Sequence, residues 1–200
     1  MNISKEGELF IATEETGGKY YYEHVYKSAF IWPEGASGCT AMVGIDIGYY
    51  TPQEIDDIFK PITRPSELEL IQRGRGLKGE RAKEYLPKLT GITFTWDEAL
   101  TVFENLTLPK FCALASRVFS GVDTLCPDTQ TALVSLVFNR GTSTKGESRR
   151  EMAAIKELVP VKDYEGIAKQ IKSMKRLWPK GSGLLQRRDR EAALVEKCVG

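Results

Sequence analysis

The sequence predicts an α+β fold that is mainly helical, with a small β-containing N-terminal lobe and a helical C-terminal lobe around a cleft. One observation is that residues 19–50 are rich in Tyr, Trp, Pro and Gly, in short alternating runs that are typical of loops and a small hairpin. A second is that helix-start signals recur after residue 50, each before a run of helical hydrophobic periodicity. Two hundred residues are enough for two lobes.

The first element is predicted to be a helix within "ISKEGELFIATEE". Ile3, Gly7, Phe10 and Ile11 recur at helical spacing, and "TGG" ends the pattern. The chain that follows, residues 19–50, is predicted to be irregular loop with a small β-hairpin.

Beyond this segment the chain is predicted to be helical. Helix starts are predicted at capping-box patterns, namely Thr51 with Glu54, Ser66 with Glu69, Thr95 with Glu98, and Ser148 with Glu151. "DTQTALVSLVFNRG" is predicted to be the hydrophobic central helix of a bundle. It would be capped by Asp128, end at Gly141, and bury Ala132, Leu133, Leu136 and Val137. Two further amphipathic helices are predicted in "DYEGIAKQIKSMKRLW" and "GLLQRRDREAALVEK".

The domain prediction is a single catalytic domain over residues 1–200. Lobe 1 would cover about 12–65, and lobe 2 about 66–200 together with the first helix. A cleft between two such lobes is a natural place for a site.

Composition excludes several classes of function. The net charge of +1 gives no field that would attract nucleic acid or an anionic membrane surface. The four cysteines form no CxxC pair, and with a single histidine they predict no zinc site. We expect free thiols in a chain made in the cytoplasm. No run has the length of a signal peptide or a membrane span, so another route would have to carry the protein to a target outside the cytoplasm.

The residues that could carry chemistry are two acids and a hydroxyl. Hydrolysis of a glycosidic bond needs a protonated acid and a second group that activates water or attacks directly. Glu14 or Glu15 lies at a helix C-terminus, whose partial negative charge disfavours a carboxylate. Thr40 and Asp46 are six residues apart, an even spacing that puts both on one side of a regular strand. Gly44 and Gly48 would let backbone approach a sugar.

Five motifs in a fixed order resemble the phage-type lysozymes, nearest to the pesticin-like muramidases. They are "LFIATEETGGKYYY", "SGCTAMVGIDIG", "TALVSLVFNRG", "KRLW" and "GLLQRRDREAALV". The resemblance runs from about Ile11 to about Val195. It implies a lysozyme-like fold in which a helix ends in a catalytic Glu, a hairpin follows, and a bundle forms around a central helix.

The resemblance also implies roles for individual residues. Glu15 would be the general acid, with Glu14 as its rival. Thr40 would help to hold the attacking water, and Asp46 would be the base. Glu34 is the alternative base, because it occupies the place of the aspartate in the main phage lysozymes.

Substrate contacts are predicted on both lobes. The resemblance implies that Asn139 presents its amide to the sugar from the central helix. The run Tyr20, Tyr21 and Tyr22 could stack on sugars, with at least one of the three assigned to packing by alternation; Tyr22 is our predicted contact. Arg187 and Arg188 are expected to form structural ion pairs near the central helix.

The chain departs from the family pattern in the hairpin. Where the family reads Thr-Ile-Gly-Ile-Gly, this sequence reads Thr40-Ala41-Met42-Val43-Gly44, so Met42 replaces a glycine. The spacing from Thr40 to Asp46 is kept. The substitution puts the shape of the hairpin, and with it the substrate range, in question.

The function that the resemblance implies is a muramidase, which hydrolyses the β-1,4 bond between N-acetylmuramic acid and N-acetylglucosamine in peptidoglycan. Such a bacteriolytic glycosidase would be a monomer without metal or cofactor. As an endolysin or antibacterial effector it would act on the cell wall in the periplasm, after holin release or delivery by a secretion system, and an effector would have an immunity or inhibitor protein. The alternatives are a lytic transglycosylase and a non-catalytic glycan-binding or structural module.

Overall fold

The computed structural model describes residues 1–199, and it is α+β and mainly helical, as predicted. The α-helices are α1 (Lys5–Thr16), α2 (Lys19–His24), α3 (Pro52–Phe59), α4 (Pro65–Gly74), α5 (Glu80–Tyr85), α6 (Trp96–Val102), α7 (Leu108–Val118), α8 (Pro127–Arg140), α9 (Arg150–Leu158), α10 (Tyr164–Ser173) and α11 (Gly183–Glu196). Short 3₁₀ segments cover Leu86–Leu89, Val122–Thr124, Glu147–Arg149 and Met174–Leu177, and a π-helical segment covers Phe103–Thr107. The strands are β1 (Thr40–Ala41) and β2 (Ile45–Asp46). No described helix has both the length and the apolar character that a membrane crossing requires.

The chain divides into two compact units. Glu15–Thr107 forms one unit, called here the N-terminal unit. Met1–Glu14 and the chain from Leu108 onward form the other, called the C-terminal unit. The first lobe was predicted to end near residue 65, whereas the N-terminal unit also contains α4, α5 and α6.

The small sheet of the N-terminal unit is an antiparallel hairpin. Thr40 pairs with Asp46 and Ala41 pairs with Ile45. An isolated bridge extends the pairing, because the Ile31 amide donates to the Thr40 carbonyl and the Thr40 amide donates to the Ile31 carbonyl, both at 2.8 Å. The hairpin predicted from the turn-rich sequence is therefore present, with two residues in each strand.

Helix α2 was not predicted from the sequence, which assigned residues 19–50 to loop and hairpin. The three consecutive tyrosines favour a strand by propensity alone. Packing overrides that preference: Tyr22 is buried, its hydroxyl donates to the Phe94 carbonyl at 2.9 Å, and its ring lies 5.5 Å from that of Trp96. Gly18, with φ of 86°, lets the chain turn into this helix.

Two of the four predicted capping boxes form. Thr51 and Thr95 each accept a hydrogen bond from the backbone of the glutamate three residues later, and that glutamate accepts from the cap backbone. The other two predictions are wrong. Helix α4 begins at Pro65 rather than after Ser66, since proline suits the first helical position. Helix α9 begins at Arg150, after a 3₁₀ turn that contains Ser148.

The central helix of the C-terminal unit is α8. Ala132, Leu133, Leu136 and Val137 are fully buried, as predicted, and so is Ser135. The helix ends at Gly141, whose φ of 73° favours glycine. Its N-cap is Cys126 rather than the predicted Asp128, because Pro127 occupies the first helical position.

The cysteines contradict the expectation of free thiols in part. Cys126 and Cys198 form a disulfide with their Cα atoms 6.3 Å apart, whereas Cys39 and Cys112 are free. The pair is 72 residues apart in sequence, so its proximity depends on how α8 and α11 pack. The spacing of the cysteines in the sequence did not indicate that these two would pair.

Candidate active site

A pocket of about 270 Å³ lies within the N-terminal unit. Its lining combines an acid, hydroxyl groups and an apolar wall: Glu15, Thr16, Tyr22, Tyr26, Ala29, Ile31, Pro33, Thr40, Ala41, Met42 and Gly44. Concave sites of this kind, mostly apolar with a few convergent polar groups, are the usual form of a small-molecule site. Three residues predicted from sequence, Glu15, Thr40 and Tyr22, therefore share one pocket.

Glu15 lies in the last turn of α1, where the chain leaves the helix. The residue is half-buried and its Oε1 atom is buried. The last turn of α1 carries no basic residue to balance the negative end of the helix. Beside an apolar wall, this position suits a carboxyl group that must carry a proton.

The neighbouring Glu14 has a different environment. Its carboxylate forms a two-point ion pair with Arg190, at 2.5 and 2.9 Å, and its backbone carbonyl accepts from Arg187 at 3.5 Å. The Glu14 side chain is 6% exposed. Both carboxylate oxygens of Glu14 are engaged by the Arg190 guanidinium, so this side chain serves the packing of the C-terminal unit.

Thr40 reaches the pocket from β1. Its backbone is fixed on both sides by the exchange of hydrogen bonds with Ile31. Its hydroxyl contacts the Gly38 carbonyl at 3.4 Å, a long hydrogen bond. The hydroxyl is thus weakly engaged by the protein and sits on a rigid backbone.

Asp46 is the cross-strand partner of Thr40 in β2. Opposite residues in an antiparallel pair project on the same face, so the two side chains share a face as predicted, but for another reason. The prediction placed both residues on one regular strand, whereas a hairpin turn lies between them. Asp46 does not line the pocket.

The Asp46 carboxylate is held by backbone amides. The Gly38 amide donates to both carboxylate oxygens at 3.0 Å, and the Gly48 amide donates to one of them at 2.9 Å. A Cβ atom on Gly38 would lie 2.3 Å from the Asp46 Oδ1 atom, so only glycine fits there. These hydrogen bonds fix the orientation of the carboxylate.

The two glycines expected near a sugar have separate roles. Gly44 lines the pocket and has φ of 75°. Gly48 packs instead against the Leu77 carbonyl and the Asp46 carboxylate, where an added Cβ would be 2.9 and 3.0 Å away. Gly48 therefore supports the hairpin rather than the pocket.

Glu34, the alternative base, lies in the exposed loop before the hairpin with φ of 73°. It is not among the residues that line the pocket. The structure gives it no position that favours it over Asp46.

Tyr22 contributes a wall of the pocket rather than a hydroxyl group. Its hydroxyl is already engaged, because it donates a hydrogen bond to the Phe94 carbonyl. Burial is the main cause that raises the pKa of Tyr22, and the charges of Glu98 and Glu23 raise it further. The exposed tyrosines of the same helix are Tyr20, which stacks on His24, and Tyr21, which meets the edge of Tyr26. Tyr26 also lines the pocket, and no pattern in the sequence predicts it.

Asn139 belongs to the C-terminal unit, at the end of α8. Its Oδ1 atom is buried and meets no hydrogen-bond donor among the described residues. The next residue, Arg140, places its guanidinium over the Trp178 ring, 5.2 Å from the ring centroid. The Arg188 guanidinium lies 5.7 Å from the same centroid.

Arg187 and Arg188 form structural ion pairs, as expected. Arg187 Nε and Arg188 Nη2 lie 3.1 and 2.9 Å from the same oxygen of Glu191, which also accepts from the Ser135 hydroxyl at 2.6 Å. Glu191 and Arg188 are fully buried. Burial raises the pKa of Glu191 against the opposing charges of the arginines, and it lowers the pKa of Arg188 to about 10.

Across residues 1–199, no group of three or more His, Cys, Asp or Glu side chains is arranged to hold a metal ion. No model of a known protein family matches the chain, and no curated protein matches it.

Proposed function

We propose that the protein is a glycoside hydrolase with a lysozyme-like fold, a muramidase that cleaves the β-1,4 bond between N-acetylmuramic acid and N-acetylglucosamine. The observation that carries the proposal is that Glu15 and Thr40 line one pocket with an apolar wall. These residues come from separate elements, α1 and β1, and the sequence motifs that resemble muramidases had assigned them complementary roles.

Glu15 is the general acid in this proposal. It donates its proton to the glycosidic oxygen as the bond to the leaving sugar breaks. The negative helix end and the apolar wall both favour the neutral carboxyl group that this step requires. Glu14 cannot replace it, because Arg190 holds that carboxylate in an ion pair.

Asp46 and Thr40 act on water. The amides of Gly38 and Gly48 orient the Asp46 carboxylate. These three hydrogen bonds leave part of its acceptor capacity for a water molecule, since an ionised carboxylate has about four lone-pair sites. Thr40, on the same face of the hairpin, aims that water at the anomeric carbon. The product of such a direct displacement has inverted configuration.

Peptidoglycan as substrate, and the biological role, follow from the resemblance described above. As an endolysin, the protein acts on the cell wall after release from the cytoplasm. As an antibacterial effector, it is delivered by a secretion system and has an immunity or inhibitor protein as partner.

The test is incubation of the purified protein with peptidoglycan sacculi, followed by turbidity. Mass spectrometry of soluble fragments identifies the reaction, since reducing ends indicate hydrolysis. NMR of the first product should show the α-anomer. Intact sacculi at high protein concentration would refute a hydrolase, and a β-anomeric first product would refute the activated-water mechanism.

A lytic transglycosylase is the second candidate, and the environment of Asp46 favours it. Three backbone hydrogen bonds to this carboxylate are what a purely structural turn aspartate would make. A transglycosylase works with one catalytic glutamate and releases anhydro ends. Anhydro ends in the fragments would therefore indicate that Asp46 only stabilises the hairpin and takes no part in the reaction.

A further inference from the structure

Met42 occupies an unfavourable backbone conformation at the pocket. It begins the loop between β1 and β2, and its φ of 52° lies in the left-handed region that favours glycine. Gly44, at the other end of the same loop, has φ of 75° without steric cost. A methionine held in this conformation beside a candidate site indicates that its side chain serves that site.

The Met42 side chain is directed into the protein rather than into solvent. It is 6% exposed and lines the pocket. Ala29, Ile31 and Ala41 line the pocket as well, so Met42 belongs to its apolar part. Val43, the next residue of the loop, is also buried but does not line the pocket.

A pocket that combines apolar side chains with a carboxyl and a hydroxyl group fits an acylated amino sugar. The acyl chain is the apolar projection of such a sugar, and the ring hydroxyls and the glycosidic oxygen are its polar part. Methionine is unbranched and adapts its shape, so it fills whatever space the acyl group leaves.

We propose that Met42 is a specificity-determining residue that sets the length of the N-acyl group the pocket admits. The inference rests on the proposed glycan-binding function of the pocket. With Met42 in place the pocket accepts an acetyl group and excludes longer acyl chains. Replacement by alanine removes three heavy atoms and opens space for about two more methylene groups, each contributing about fourfold in affinity when buried.

The experiment measures binding, so that it does not depend on catalysis. Glucosamine tetramers carrying N-acetyl or N-butyryl groups are titrated by calorimetry into Glu15→Gln protein, with and without Met42→Ala. We expect the parent to prefer the N-acetyl tetramer. We expect Met42→Ala to shift the ratio of the two dissociation constants by about sixteenfold towards the N-butyryl tetramer, since each of two methylenes contributes about fourfold.

Val43→Ala is the matched control, because it truncates a buried residue of the same loop that does not line the pocket. It should leave the ratio unchanged. Met42→Gly is the second variant, since glycine accepts a φ of 52° without strain, and it should shift the ratio in the same direction even if Met42→Ala folds poorly.

An unchanged ratio in both Met42 variants, an equal shift in Val43→Ala, or no binding of either tetramer overturns the inference. The sacculus assay separates this result from the proposed function. If the sacculi are hydrolysed but the ratio of the two dissociation constants is unchanged, only the role of Met42 is refuted. If the ratio shifts but the sacculi stay intact, only the assignment as an enzyme is refuted.

Discussion

The hairpin of the N-terminal unit and the α8–α11 pair of the C-terminal unit each fix a carboxylate, and they do so by opposite means. Asp46 is half-buried and accepts from the backbone amides of Gly38 and Gly48. Glu191 is fully buried and contacts two guanidinium groups and the Ser135 hydroxyl. The first carboxylate is held by neutral groups, the second by charged ones.

This difference indicates a division of labour. Neutral amides orient a carboxylate without cancelling its charge, so it keeps the capacity to act on a water molecule. Guanidinium groups cancel the charge of a buried carboxylate, which then contributes only if every partner stays in place. We therefore expect variants at the pocket and hairpin to change activity, and variants of the α8–α11 pair to change stability.

The first prediction concerns the acid at the pocket. Glu15→Gln should lower the rate of peptidoglycan hydrolysis by roughly 10²–10⁴-fold, because an amide cannot donate the proton that general acid catalysis needs. The melting temperature should stay close to that of the parent. Glu14→Gln is the control, and it should keep most activity. Retention of more than about a tenth of the activity in Glu15→Gln would contradict its role as the acid.

Asp46→Asn tests the hairpin carboxylate. We expect hydrolysis to fall by at least about a hundredfold, since an amide cannot accept the proton of the attacking water. Thr40→Ala should also reduce the rate, because the orienting hydroxyl is lost. Glu34→Gln should retain most activity, and an inactive Glu34→Gln beside an active Asp46→Asn would transfer the base to Glu34. A lower melting temperature with full activity would show that Asp46 is structural only.

Glu191→Gln tests the buried ionic group. The substitution leaves the charges of Arg187 and Arg188 without their carboxylate, which should lower the free energy of unfolding by about 3–5 kcal/mol in urea denaturation. Glu196→Gln is the control, because Glu196 pairs with Lys172 near the surface and should cost less than about 1 kcal/mol. An equal loss of unfolding free energy in the two variants would show that burial of the Glu191 ionic group does not add to its effect on stability.

The disulfide is expected to stabilise the C-terminal unit by restricting the unfolded chain. Cys126→Ser should lower the free energy of unfolding by roughly 2–4 kcal/mol, and a reducing agent should have the same effect on the parent. Cys112→Ser removes a free thiol and serves as the control. A parent protein that melts identically with and without reductant would contradict the bond.

The smallest effect is a pH dependence that involves Glu151. Burial raises the pKa of this carboxyl, but hydrogen bonds from Arg176 and Arg150 outweigh burial and hold the pKa below its ordinary value of 4.5. Its contribution is therefore present above pH 4.5 and is lost as the pH falls through the lower folded value. Glu151→Gln should cost about 1–2 kcal/mol at neutral pH and flatten the acid limb of the stability curve. An unchanged acid limb would contradict this.

Local signals in the sequence predicted much of the helical part. The capping boxes at Thr51 and Thr95 are confirmed, because a threonine and a glutamate three residues apart satisfy each other within a single turn. The same pattern failed at Ser148, where Glu151 is instead buried and bonded to Arg176. Glu151 therefore binds Arg176, which is distant in sequence, instead of capping the helix with Ser148. The spacing of Ser148 and Glu151 does not reveal such a distant partner.

The candidate site shows the same limit. The motifs around Glu15 and Thr40 indicated two residues that line the pocket. No sequence pattern predicted that Tyr26 and Ile31 would line it as well. Helix α2 was missed because the tyrosine run has a strand propensity that the burial of Tyr22 overrides.

Local patterns in the sequence predicted the helical class, the hairpin and the buried face of α8, because periodicity, caps and turn residues act over a few positions. The candidate residues came from the resemblance of the motifs and stay a prediction. Only the folded chain places Arg190 against Glu14, the amides of Gly38 and Gly48 against Asp46, and Cys198 against Cys126, and no local pattern predicts these contacts. Each of these depends on the packing of other elements or on the path of a turn. A side chain's chemistry is set by its neighbours in space, which the order of residues does not state.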